Sequence, residues 1–108
     1  MKGDNLGELE ELILLTVCAQ YPDAYGVSIR EELLKQRTIT LSTIHAVLHR
    51  LEEKGFLKSS LGEATAKRGG KRPRLFFITP YGIKTLRSAR EYREQLWEAI
   101  PNTILQKG

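Results

Sequence analysis

The sequence predicts a mainly α-helical chain with one small β-hairpin, and three observations carry that expectation. Apolar residues recur at helical spacing in three segments before residue 55. Two short apolar runs then flank a polar tip rich in glycine and cations, and Thr79-Pro80 opens a fourth helical segment. A chain of 108 residues closes one hydrophobic core and rarely two, so one compact unit is expected.

The first helix is expected from about Leu6 to Ala19. Leu9, Leu12, Ile13 and Val17 form its stripe, and Leu14, Leu15 and Cys18 widen the apolar surface until the second half should be buried on several sides. Tyr21-Pro22-Asp23 ends it, because Pro22 disfavours helical geometry at the preceding residue. The second helix is expected from about Tyr25 to Gln36, with Tyr25, Ile29 and Leu33 inward. A short link brings Thr40 into place as N-cap of a third helix, Leu41 to Lys54, which stops at Gly55. Phe56 to Ser60 and Arg74 to Thr79 read as antiparallel strands. Thr79 then caps a last helix with Pro80 in its first turn, running to about Ile100.

Composition narrows the function classes. The longest apolar run, Leu12 to Ala19, is too short to cross a bilayer. Glu8, Glu10 and Glu11 precede that run where an export signal needs positive charge, so a cytoplasmic protein without membrane partners is expected. Cys18 has no second cysteine to pair with and reads as a buried thiol. Net charge is +4, divided as −3 over residues 1–56 and +7 over 57–108, so the second half should face a polyanion.

The third helix carries the sharpest signal. Leu41, Ile44, Val47, Leu48 and Leu51 share one face, while Ser42, Ala46, His49 and Glu53 lie opposite, flanked by Thr43, His45 and Arg50. Small, hydrogen-bonding and cationic groups near the N-terminal turns suit a helix inserted in a major groove. Ser42, Thr43, His45, Ala46 and His49 are the candidates for base-facing positions. Periodicity alone allows an ordinary solvated face; the basic hairpin that follows favours DNA. Its tip holds Lys67, Arg68, Lys71 and Arg72 around Gly69-Gly70, with Arg74 on the returning strand. Such a cluster is favoured where phosphates release their counterions, the alternative being a solvated loop. Together these elements predict a winged helix-turn-helix followed by a C-terminal helix.

His45, His49 and Glu53 stand at i, i+4 and i+8, a spacing that suits a transition metal, but with open surface ligands and no cysteine nearby no metal site is expected. No nucleophile, base and orienting group can be grouped, so neither an enzyme activity nor a cofactor is expected.

These residues resemble the PadR family of transcriptional regulators over nearly the whole chain. The resemblance rests on Leu6-Gly7-Glu8-Leu9-Glu10 leading into Ile13-Leu14-Leu15, on Tyr25-Gly26-Val27-Ser28-Ile29, on the segment Leu41 to Gly55, and on Gly70-Lys71-Arg72-Pro73-Arg74-Leu75-Phe76-Phe77-Ile78-Thr79 with Gly82. His45 stands where the family usually has tyrosine, and Phe76-Phe77 replaces a typical tyrosine pair. The resemblance implies the small form with a single C-terminal helix: a dimeric repressor on a palindrome, that helix crossing to the partner subunit.

The residues of the last helix fit such a role. Leu86, Ala89, Leu96 and Ile100 form an apolar stripe with Tyr92 and Trp97 at its edge, which a lone helix would expose. Packing back onto helix one accounts for part of it. The expected homodimer interface therefore comprises Leu9, Leu12, Leu86, Ala89, Leu96, Trp97 and Ile100. Some family members hold flat aromatic ligands between subunits, which makes Trp97 a candidate stacking residue for a small aromatic effector beside its packing role.

The expectation is a DNA-binding unit over residues 1–79 and a C-terminal dimerisation helix and tail over 80–108. The function expected is sequence-specific binding of double-stranded DNA by a homodimeric repressor. The rival is a winged helix that uses the same hairpin to bind an acidic protein.

Overall fold

The computed structural model describes residues 6–63 and 71–106. The elements follow in the order α1 (Glu8–Ala19), α2 (Gly26–Leu33), α3 (Leu41–Glu53), β1 (Leu57–Leu61), β2 (Arg74–Ile78), α4 (Pro80–Ala99) and α5 (Asn102–Leu105). This is the mainly helical fold with one hairpin that the sequence predicts.

Three helices pack around a core of Ile13, Leu14 and Val17 from α1, Ile29 and Leu33 from α2, and Ile44, Val47, Leu48 and Leu51 from α3. Phe56, Leu57 and Phe76 close it from the hairpin side. Burying one face of each amphipathic helix against the others is what drives this arrangement. Two helical hydroxyls are buried as well, and each is satisfied within its own helix: Thr16 donates to the Leu12 carbonyl at 2.7 Å and Thr85 to the Tyr81 carbonyl at 2.9 Å.

The chain fixes α3 at both ends. Thr40 Oγ1 accepts from the Thr43 amide at 3.2 Å, satisfying one free donor of the first turn. At the other end Gly55 takes φ +86°, the left-handed conformation that favours glycine. The Gly55 amide donates to the Glu52 carbonyl at 3.1 Å and the Phe56 amide to the Leu51 carbonyl at 3.0 Å, the paired bonds of a Schellman cap. Helix α2 is locked to the turn before α3 by Arg30, whose Nε donates to the Ile39 carbonyl at 2.7 Å.

Strands β1 and β2 are antiparallel, with Leu57 opposite Ile78, Ser59 opposite Phe76 and Leu61 opposite Arg74. The pleat turns these pairs to one face and Lys58, Ser60, Leu75 and Phe77 to the other. The Phe76 amide donates to the Ala24 carbonyl at 2.9 Å, which ties the returning strand to the segment between α1 and α2.

Helix α4 starts as expected, with Thr79 Oγ1 accepting from the Gly82 amide at 3.0 Å and Pro80 in the first turn. Tyr81 stacks on Phe56, ring centres 4.8 Å apart and planes 8° from parallel. These contacts hold the start of α4 on the core, so Leu86 is 6% exposed and belongs to the chain's own interior. Its assignment to an interface between subunits is therefore corrected, since its surface is already covered.

Other boundaries differ by short stretches. Helix α1 begins at Glu8 with Gly7 as cap, and Tyr25 caps α2 rather than joining it. Helix α2 ends at Leu33 instead of about Gln36, because the Gln36 and Arg37 amides both turn back to the Leu33 carbonyl at 3.1 Å. Beyond α4, Pro101 leads into α5, a short turn the periodicity does not announce.

Candidate nucleic-acid interface

The polar face of α3 is open along its length. Ser42, Thr43, His45, Ala46, His49 and Arg50 are all exposed, while Ile44, Val47, Leu48 and Leu51 on the opposite face are buried. Thr40, Ser42 and Thr43 form a hydroxyl cluster at the start of the helix, with Thr40 donating to Thr43 Oγ1 at 2.9 Å and its oxygen 3.2 Å from Ser42 Oγ. The result is a rigid helix that offers hydroxyls, a methyl and two imidazoles to its surroundings.

A groove of about 370 Å³ runs between this face, the start of α2 and the returning strand, with Gly26, His45, His49, Glu52 and Arg74 among its lining residues. His45 lies against Gly26, where a Cβ would fall 2.8 Å from His45 Cδ2. His49 Nε2 stands 3.5 Å from Glu53 Oε2 one turn on. Among the described residues no three His, Cys, Asp or Glu side chains gather as a metal site requires.

Arg50 is exposed, and its charge is near enough to act on Glu10 of α1. Burial alone would raise the Glu10 carboxyl, but the Gly7 amide at 2.9 Å, Lys54 at 3.2 Å and the charge of Arg50 more than offset it and hold the group below the ordinary glutamate range.

The tip end of the hairpin supplies Lys71, Arg72 and Arg74, all exposed. Arg72 Nε donates to the Gly62 carbonyl at 2.8 Å and the Gly62 amide to the Pro73 carbonyl at 2.7 Å, so the strands are clasped where the tip begins. Arg74 Nη1 donates to Ser59 Oγ at 3.1 Å, and Ser59 donates to Glu52 Oε2 at 2.7 Å. Lys67 and Arg68, the other two cations expected here, lie outside the described residues. Neither Ser59 nor Glu52 stands out in the sequence; only the strand register shows which serine of Lys58-Ser59-Ser60 turns toward α3.

A second open surface lies far along α4. Tyr92 is 63%, Leu96 52% and Trp97 65% exposed, and Ile104 and Leu105 of α5 are exposed too. Leu9 and Leu12 are half-buried against the core, and Ala89 and Ile100 are half-buried. A groove of about 570 Å³ between α1 and α4 is lined in part by Leu6, Tyr81, Ala89, Tyr92 and Leu96. Arg93 and Glu11 pair across it at 2.9 Å. Cys18 is half-buried in α1, and burial pushes its thiol up. No helix among the described residues is long and apolar enough to cross a membrane.

A family model described as penicillinase repressor matches residues 6–66. No curated protein matches the sequence. Among solved structures, the chain is similar to a PadR family transcription regulator from Clostridium difficile, with 21% identity over 92% of this chain and 99% of that one and a TM-score of 0.71. It is likewise similar to a PadR-like transcriptional regulator from Bacillus cereus, with 20% identity over 91% of each chain and a TM-score of 0.71. A transcriptional regulator from Clostridium thermocellum is 27% identical over 92% of this chain and 87% of that one, with a TM-score of 0.63. The winged fold expected from the sequence is thus the fold found.

Proposed function

The chain belongs to the penicillinase repressor family and is a DNA-binding transcriptional regulator rather than an enzyme; we propose that it acts in the cytoplasm as a homodimeric repressor on a palindromic operator. The observation that carries the reading is the division of α3 into a buried apolar face and an exposed polar one, bordered by the cations at the tip end of the hairpin. Thr40 and Gly55 cap that helix at its two ends, so its side chains are presented by a rigid rod.

In this reading Ser42, Thr43, His45, Ala46 and His49 face base edges. Hydroxyls and imidazoles exchange hydrogen bonds with the edges, and the Ala46 methyl suits a thymine methyl. Arg50, Lys67, Arg68, Lys71, Arg72 and Arg74 neutralise phosphates and fix the protein's register without reading sequence.

The homodimer is supported by the apolar surface that α4 and α5 leave open. Tyr92, Leu96, Trp97, Ile104 and Leu105 are each exposed and lie outside the chain's own core, and exposed apolar surface of this kind marks interfaces. Ala89 contributes from the groove between α1 and α4, and Leu9, Leu12 and Ile100 are assigned to the same interface. Two subunits joined there place two copies of α3 in successive major grooves, roughly 34 to 36 Å apart, and the bound dimer blocks transcription sterically. Trp97 offers an indole for a flat aromatic effector at the same interface, beside its packing role.

Selection of bound fragments from a random duplex pool tests the reading. Enrichment of an inverted repeat supports it. Retention of an acidic protein with no retention of duplex would favour the hairpin as a protein-binding element instead.

A further inference from the structure

Glu52 of α3 and Arg74 of the hairpin are joined through one serine, and the direction of its hydrogen bonds is forced. A carboxylate only accepts and a guanidinium only donates, so the group between Glu52 and Arg74 must do both. Ser59 does so: its Oγ donates to Glu52 Oε2 at 2.7 Å and accepts from Arg74 Nη1 at 3.1 Å. Its place opposite Phe76 in the hairpin register puts it on the inner face, where it is half-buried.

Serine as a bridge differs from a direct ion pair in what it leaves free. A carboxylate closing directly on Arg74 would take two parallel N–H groups of the fork, the same pair a phosphate uses. The hydroxyl takes one, so most of the guanidinium's five donors stay available. An unanchored arginine also loses rotamer freedom when it grips a phosphate, and anchoring beforehand removes part of that loss. Both Glu52 and Arg74 line the groove beside His45 and His49, so the relay sits at the DNA-facing edge of the fold.

The geometry points to Ser59 as a positioning residue for DNA binding, one that presents Arg74 to the phosphate backbone and fixes the hairpin relative to α3. This inference rests on the DNA-binding reading above. Ser59 acts through Arg74 and touches no nucleotide itself.

The test measures affinity for one duplex by anisotropy in Ser59→Ala and Ser59→Thr, each made in the wild-type chain and in Arg74→Met. Ser59→Ala in the wild type is expected to weaken binding about three- to tenfold, the worth of one hydrogen bond, and Ser59→Thr to restore it. In the Arg74→Met background Ser59→Ala is expected to change nothing, and Arg74→Met itself to lower the log-log salt slope by about one. Wild-type affinity in Ser59→Ala, or an equal loss in both backgrounds, would overturn the relay alone. Failure of the wild-type chain to bind any duplex would remove the DNA-binding reading and the relay with it.

Discussion

The imidazole of His45 rests on the Cα of Gly26, so close that a methyl group there would come within 2.8 Å of Cδ2 and nearer still to Nε2. One residue at the start of α2 therefore sets how another, midway along α3, is presented. Gly26 has no left-handed backbone to protect, since Gly55 is the one glycine with positive φ among the described residues. Alanine in a helix is also favoured over glycine. Gly26→Ala is thus expected to keep or slightly raise the thermal midpoint while displacing His45 and weakening binding to a preferred site. A lower midpoint together with unchanged binding would show that the contact serves only packing.

Neutralising Lys71 and Arg72 together is expected to reduce the log-log salt slope of DNA binding by about 2, because two fewer phosphates are then neutralised. Arg72 commits its Nε to the Gly62 carbonyl. Glutamine, which keeps a side-chain amide donor, is therefore a better replacement than alanine. An unchanged slope would show that this part of the hairpin is merely solvated.

Leu48 is wholly buried between α3 and the rest of the core. Leu48→Ala is expected to cost about 2 to 5 kcal/mol of unfolding free energy in a urea titration, through the apolar burial removed and the cavity left behind. A cost below about 0.5 kcal/mol, the scale of surface substitutions, would contradict the orientation assigned to this helix.

Glu10 gives the fold a pH dependence whose sign is fixed. Its carboxyl titrates lower when folded than when unfolded, so its stabilisation is complete above the unfolded value. That stabilisation fades as pH falls through the folded value, when protonation weakens the Gly7 and Lys54 bonds. Thermal midpoints of the wild type and Glu10→Gln should therefore differ near neutrality and converge once the pH has fallen below the lowered folded value. A difference independent of pH would remove the charge of Glu10 from the account.

Much of this architecture is legible in the sequence because its signals are stereochemical. Thr40 and Gly55 mark the ends of α3, and Thr79-Pro80 the start of α4, through groups that only certain residues supply. Periodicity separates the buried and open faces of α3 for the same reason. It does not show that the first turns of the α4 stripe are already covered, because the Phe56 and Tyr81 stack that draws Leu86 inward joins residues far apart in sequence. Nor does it choose between Ser59 and Ser60. A strand's inner face depends on its register, and that is set by the pairing with Arg74–Ile78. Helix α5 is a single short turn, too brief for any period to emerge.

Whether the open face of α3 reads bases is measured by the ratio of affinities for a selected duplex and a random one in Ser42→Ala and His49→Ala. Both side chains are exposed and neither supports the core. The account predicts that each substitution lowers affinity for the selected duplex more than for the random one, shrinking the ratio. Equal losses on the two duplexes, or none on either, would contradict it.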